Sequence, residues 1–204
     1  MNKKNNIRNF SQQELKDLFI EMGDKAFRAK QVYEWLWKRG VHSFDGMTNL
    51  SISTRDKLKE NFKIPAVKIK TSQTSSDRTI KNAFELYDGS VVEGVLIPAT
   101  DRMTACISSQ VGCSLTCKFC ATGKMKRLRN IDFDEIYDQV VHIKNQAEQN
   151  YKTPLTNIVY MGMGEPLLNY KGLIKSVEKI TSPDGLGMSP KRITVSTAGI
   201  AKMI

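Results

Sequence analysis

Three cysteines crowd into one stretch of eight residues, Cys113-Ser114-Leu115-Thr116-Cys117-Lys118-Phe119-Cys120, in a C-x3-C-x2-C pattern. The other cysteine of the chain, Cys106, lies seven residues upstream. Three thiolates leave a tetrahedral zinc one ligand short, and an odd number cannot pair off as disulfides. They suit three irons of a four-iron, four-sulfur cluster whose fourth iron stays open. An open iron beside soft ligands is a reaction site.

S-adenosylmethionine can chelate such an iron through its amino and carboxylate groups, and C-x3-C-x2-C is the radical S-adenosylmethionine signature. A structural zinc held by Cys106, Cys113, Cys117 and Cys120 is the alternative. Sites of that kind usually come as two C-x2-C pairs, a spacing this chain does not show. A disulfide framework fits less well, because four cysteines are few for 204 residues and no stretch reads as a signal peptide.

Two further segments could serve the same chemistry. Met161-Gly162-Met163-Gly164-Glu165-Pro166 opens its backbone to a ligand, and Glu165 offers an acceptor for the sulfonium cofactor's amino group. It lacks the Rossmann spacing, and no Walker lysine motif occurs, which argues against a nucleoside triphosphate. Ser196-Thr197-Ala198-Gly199 could bind ribose or carboxylate, with helix capping as the alternative for Ser196 or Thr197. Glu93 sits among Val91, Val92, Val95 and Leu96. By its neighbours alone it points to solvent from an antiparallel strand; facing a pocket, it would be a proton acceptor.

The elements that must position these residues read as α/β. Strands at Met103–Ser108, Asn157–Met161 and Arg192–Ser196 alternate with helices at Asp132–Gln146 and Tyr170–Ile180. That rhythm implies a parallel sheet with right-handed crossovers. It puts all three segments at the C-terminal ends of strands, the rim where α/β barrels do chemistry. Upstream, Ala83–Tyr87 and Val91–Ile97 form a hairpin around Asp88-Gly89, and Thr71–Arg78 reads as a polar loop. The first third is helical. Ser11 and Glu14 form a capping box before Leu15, Leu18, Phe19 and Met22, and Gly23 stops that helix. A second helix spans Lys25–Arg39 with Phe27, Val32, Trp35 and Leu36 as its apolar stripe, and a third spans Ser53–Phe62. Trp35 and Trp37 are core by default, with stacking on RNA bases as the alternative. Three parts result: a basic helical accessory domain at 1–66, a β-hairpin extension at 67–100, and the cysteine-bearing core at 101–204.

Charge narrows the partner. The net charge is +10, and residues 1–70 carry 15 Lys and Arg against 8 Asp and Glu. Such a basic module favours a polyanion, and nucleic acid is the commonest one. The 40% hydrophobic content supports a core, and no apolar run is long enough for a membrane span. Free thiolates and a cluster point to a reducing, cytoplasmic setting.

Five segments then carry a resemblance: Lys25–Trp37 (KAFRAKQVYEWLW), Val92–Pro98 (VEGVLIP), Cys106–Ala121 (CISSQVGCSLTCKFCA), Met161–Asn169 (MGMGEPLLN) and Ser189–Gly199 (SPKRITVSTAG). Together the chain resembles the bacterial dual-specificity adenine-C2 methyltransferases of 23S ribosomal RNA and transfer RNA, which are radical S-adenosylmethionine enzymes. Gly164-Glu165-Pro166-Leu167-Leu168-Asn169 is more similar to these than to relatives that methylate C8. The resemblance implies the first part of a (β/α)6 barrel, of which about three units are legible here. It implies a [4Fe-4S] cluster on Cys113, Cys117 and Cys120, and S-adenosylmethionine held by Gly164, Glu165 and Ser196. An electron donor such as flavodoxin or ferredoxin and a monomeric enzyme are further expectations.

In that family a cysteine near the C-terminus carries a methyl group, from which a radical forms and adds to C2. By resemblance Glu93 removes the C2 proton from the covalent adduct, and Cys106 resolves the adduct through a transient disulfide. The four cysteines end at Cys120, so the methyl-carrying cysteine has no counterpart here. The chain is therefore expected to be a fragment, inactive alone. Another radical RNA-modifying enzyme, including a C8 methylase, and a zinc-stabilised RNA-binding domain are the other function classes.

Overall fold

The computed structural model describes residues 4–203. The chain forms two compact units, residues 1–66 with 182–187 and residues 67–181 with 188–204.

In the first unit β1 (Asn5–Asn6) pairs in parallel with β2 (Phe62–Lys63). Helix α1 (Gln12–Glu21) starts at the expected capping box: Ser11 Oγ accepts from the Glu14 amide at 3.2 Å, and Glu14 accepts from the Ser11 amide at 2.6 Å. Gly23 follows with φ +69°. Helix α2 (Arg28–Trp37) is shorter than expected at both ends. Asp24 holds the turn before it, accepting from the Lys25 amide at 2.7 Å and Arg28 Nε at 2.8 Å. Phe27 therefore precedes the helix, falls outside its apolar phase and is 56% exposed. The buried stripe is Ala29, Val32, Trp35 and Leu36, with Trp37 fully enclosed as well. That leaves Trp37 no face for a base. Helix α3 (Ile52–Asn61) is capped by Ser51 and buries Leu58.

The second unit is built on a six-stranded sheet. Its strands are β3 (Lys68–Thr74), β4 (Ile80–Glu85), β5 (Val91–Pro98), β6 (Met103–Cys106), β9 (Asn157–Tyr160) and β10 (Ile193–Val195), in the order β10-β9-β6-β5-β4-β3. Strands β6, β9 and β10 run parallel, and β3 to β6 are antiparallel neighbours. Between β6 and β9 come a short antiparallel pair, β7 (Gln110–Val111) with β8 (Arg129–Asn130), and helix α4 (Phe133–Tyr151); α5 (Tyr170–Thr181) joins β9 to β10. Strand β3 corrects the polar loop expected over Thr71–Arg78. All seven of its residues are exposed, so no face had to be apolar; backbone pairing with β4 holds it at the edge, helped by polar contacts from Ser72 to Asn82 and Lys70 to Glu85.

Helix α4 packs on β5 and β6, and α5 packs on α4. The covered sheet face contributes Val92, Leu96, Ala105 and Ile158; Ile136, Val140, Ile143 and Leu173 are among the buried helix positions. Helix α4 runs five residues beyond the expected Gln146 and ends at Lys152 in a left-handed conformation. On the opposite face the register aligns Lys81, Val95, Cys106, Val159 and Thr194 in one row across five strands. Among the described residues no helix is long and apolar enough to cross a membrane.

Candidate active site

The three clustered cysteines lie on the excursion between β7 and β8. They line one cavity of about 330 Å³ together with Gly164, Glu165 and Ser196. Chemistry-bearing segments far apart in sequence, around Cys113–Cys120, Gly164-Glu165 and Ser196, thus meet at the C-terminal ends of β6, β9 and β10. All four cysteines are free thiols. Among the described residues no three His, Cys, Asp or Glu side chains gather around a single ion. Each thiolate of a cluster serves a different iron, so its ligands need not converge on one point. Cys106 stands apart on β6 and does not line the cavity. The donor set fits a three-cysteine cluster better than a four-sulfur zinc.

Two glycines let the rim close on the cysteine loop. A Cβ at Gly162 would lie 2.6 Å from Ser108 Oγ and 2.7 Å from the Ile107 carbonyl. Gly164 takes φ +93°, and a Cβ there would meet Gln110 Cβ at 2.4 Å. Both positions need glycine for contact, and Gly164 for conformation also.

Glu165 is 4% exposed. Its carboxylate accepts from the Leu167 amide at 3.0 Å, the Thr197 hydroxyl at 2.6 Å and the Ala198 amide at 2.8 Å. Its first task is therefore to clamp the Ser196–Gly199 segment. Thr197 is committed to that clamp, while Ser196 lines the cavity with its side chain exposed.

The roots of the cysteine loop are held by buried amides, Gln110 and Asn169, which lie within the segments that carry the resemblance but whose holding role neither periodicity nor spacing signals. Gln110 accepts from the Glu165 amide at 2.9 Å and donates to Asn130 at 2.8 Å. Asn169 donates to the Ser109 and Ile131 carbonyls, both at 2.8 Å. Arg129 donates to Asp88 at 2.7 Å and to Glu135 at 2.7 Å, and it lies 4.6 Å above the Tyr87 ring. The Arg129 hydrogen bonds hold the Asp88 carboxyl well below the usual carboxylate range. These partners lie 6 to 60 residues apart, beyond what helical or strand periodicity can register.

Glu93 and Cys106 share the open sheet face. Val95 is directly opposite Cys106, which makes Glu93 a diagonal neighbour of the thiol at a spacing of roughly 7–8 Å. The Glu93 side chain is half exposed and meets Lys81 Nζ at 2.6 Å. Burial pushes the Cys106 thiol up, opposed by a hydrogen bond from the Met161 backbone. Ser108 links the face to the rim, donating to the Glu93 carbonyl at 2.6 Å and accepting from the Met163 amide at 2.8 Å.

A sheet with parallel β6, β9 and β10, carrying a three-cysteine loop and a glycine-rich segment at one rim, defines a radical S-adenosylmethionine protein. Residues 107–202 match the Radical SAM superfamily, and residues 5–64 match the ribosomal RNA large subunit methyltransferase N-terminal domain. The crystal structure of a radical SAM methyltransferase from Sphaerobacter thermophilus superposes with a TM-score of 0.86 at 34% identity, covering 96% of this chain and 57% of that one. A probable dual-specificity RNA methyltransferase RlmN of Cytophaga hutchinsonii is 65% identical over 99% of this chain and 55% of its own length. The corresponding protein of Christiangramia forsetii is 59% identical over 99% of this chain and 57% of its own length. Over nearly its whole length the chain is similar to the dual-specificity RNA methyltransferases RlmN, and it joins the N-terminal domain of ribosomal RNA large subunit methyltransferases to a radical SAM domain. It spans about half the length of the curated relatives it matches. Members of the superfamily use a [4Fe-4S] cluster and S-adenosylmethionine.

Proposed function

We propose that this chain supplies the cluster-binding and proton-accepting part of an enzyme that methylates C2 of adenine in 23S ribosomal RNA and in transfer RNA. The observation that carries the reading is the single cavity lined by Cys113, Cys117, Cys120, Gly164, Glu165 and Ser196. In it, Cys113, Cys117 and Cys120 ligate the cluster. Gly164 leaves backbone room for the cofactor's methionine moiety, Glu165 fixes the rim, and Ser196 turns its hydroxyl to the cofactor. When bound, cluster and sulfonium together supply one-electron chemistry, which an electron-poor aromatic carbon requires because it does not act as a nucleophile.

Glu93 takes the C2 proton of the covalent RNA adduct. The Cys106 thiolate then attacks the thioether sulfur that tethers the adduct: a disulfide forms as the S–CH2 bond breaks, and that bond's electron pair stays on the adenine-bound carbon, which takes up a proton to become methyl. Both side chains occupy the open sheet face. As a raised thiol, Cys106 must lose its proton to act. The basic first unit holds RNA through its phosphates. The reading includes a donor such as flavodoxin or ferredoxin, a monomeric enzyme and a cytoplasmic setting. Anaerobic reconstitution tests it: near four irons per chain, lost in Cys113→Ala, are expected. One zinc and no iron would refute it. Digestion of RNA modified by the full-length protein, followed by mass spectrometry, should yield 2-methyladenosine; 8-methyladenosine would refute the C2 assignment.

A further inference from the structure

The Lys81–Glu93 contact belongs to neither the cluster cavity nor the core. Lys81 lies on β4 opposite Val95, so it shares the open face with Glu93 and heads the row that runs to Cys106. Its ammonium is 2.6 Å from Glu93 Oε1, with the two side chains 50% and 52% exposed. A pair this wet contributes only about 0–1 kcal/mol to folding, which gives stability little reason to hold it. The neighbours along the row, Val95, Cys106 and Val159, bring no charge. Glu85, two positions from Ala83 on the same face, is engaged by Lys70 at 3.7 Å.

We infer that Lys81 is a positioning residue for Glu93, setting the direction of its carboxylate on the substrate face. The inference rests on the proton-acceptor role proposed above for Glu93. Adenine covering the face would expel water, and the same ion pair would then act in a lower dielectric, where its orienting force is several-fold greater. Lys81 thereby restricts the rotamers of Glu93 until the adduct arrives. Proton transfer from C2 leaves neutral Glu93 beside a Lys81 that stays charged, and the electron pair of the broken C–H bond returns to the adenine ring.

The test uses the full-length, reconstituted protein with an RNA substrate under single-turnover conditions. Covalent protein–RNA adduct is followed on denaturing gels, and RNA affinity is measured separately. Lys81→Met should slow clearance of the adduct by about 10- to 100-fold, the range expected for a misplaced catalytic group, with RNA affinity unchanged. Lys81→Arg should restore clearance to near the parent rate, which separates positioning from misfolding. Glu93→Gln should accumulate adduct. If Glu93→Gln clears it normally, the base assignment fails and this inference with it. If Glu93→Gln stalls while Lys81→Met clears normally, the inference alone is wrong. Weaker RNA binding by Lys81→Met, with normal clearance at saturating RNA, would make Lys81 a phosphate contact and overturn it.

Discussion

Replacing Glu165 with Gln changes one buried atom and should unlatch the Ser196–Gly199 segment. The carboxylate accepts from three donors, the Leu167 amide, the Thr197 hydroxyl and the Ala198 amide. A glutamine whose oxygen stays toward Leu167 and Thr197 turns its NH2 against the Ala198 N–H, so that bond becomes a donor facing a donor. The opposite amide orientation loses the Leu167 bond, while the Thr197 hydroxyl can rotate to accept. Either way one hydrogen bond to a charged acceptor disappears at a site that is 4% exposed. Such bonds contribute about 1.5–3 kcal/mol, so a loss of about 2–3 kcal/mol is expected. At 1.4 kcal/mol per tenfold, local opening should rise roughly 30- to 150-fold. Strand β10 has three residues and its neighbours are largely exposed, so the cost should appear there and not in global unfolding. Hydrogen exchange with mass spectrometry on Glu165→Gln should show faster exchange across 194–199 and unchanged protection in β4 and β5. Unchanged exchange at Ala198, or a uniform loss over the whole unit, would refute the clamp.

Trp37→Ala should destabilise the first unit by about 3–5 kcal/mol, as for other fully buried aromatics; a chemical-denaturation loss below about 1 kcal/mol would return Trp37 to the surface. Arg129 depresses the Asp88 pKa, so Asp88 contributes its stability above the ordinary 3.8 and loses it as pH falls through the lower folded value. Arg129→Met should flatten the acid limb of a melting-temperature profile, and an identical limb in both proteins would contradict the pairing. Burial holds Cys106 above its ordinary 9.0, which keeps it a thiol at neutral pH. Alkylation mapped by mass spectrometry should be slower at Cys106 than in free cysteine and should accelerate as pH climbs past 9.0; fast labelling at neutral pH would rule this out.

The sequence by itself carried the chemistry and the strongest local signals. The C-x3-C-x2-C spacing specified its class because three thiolates on one loop need no distant partner. Ser11 and Glu14 marked a helix start because both capping bonds close within four residues. Alternation around Asp88-Gly89 specified a hairpin for the same local reason. The edge strand Lys68–Thr74 was illegible because backbone pairing needs no apolar side chain, and Phe27 misled because Asp24 starts the helix one residue after it. Only the tertiary structure brought Glu165 onto Thr197 and Ala198, Gln110 between Glu165 and Asn130, and Lys81 against Glu93. Those contacts depend on strand register and on loops meeting at one rim. A sequence states which donors and acceptors exist, and the register of the sheet decides which of them meet.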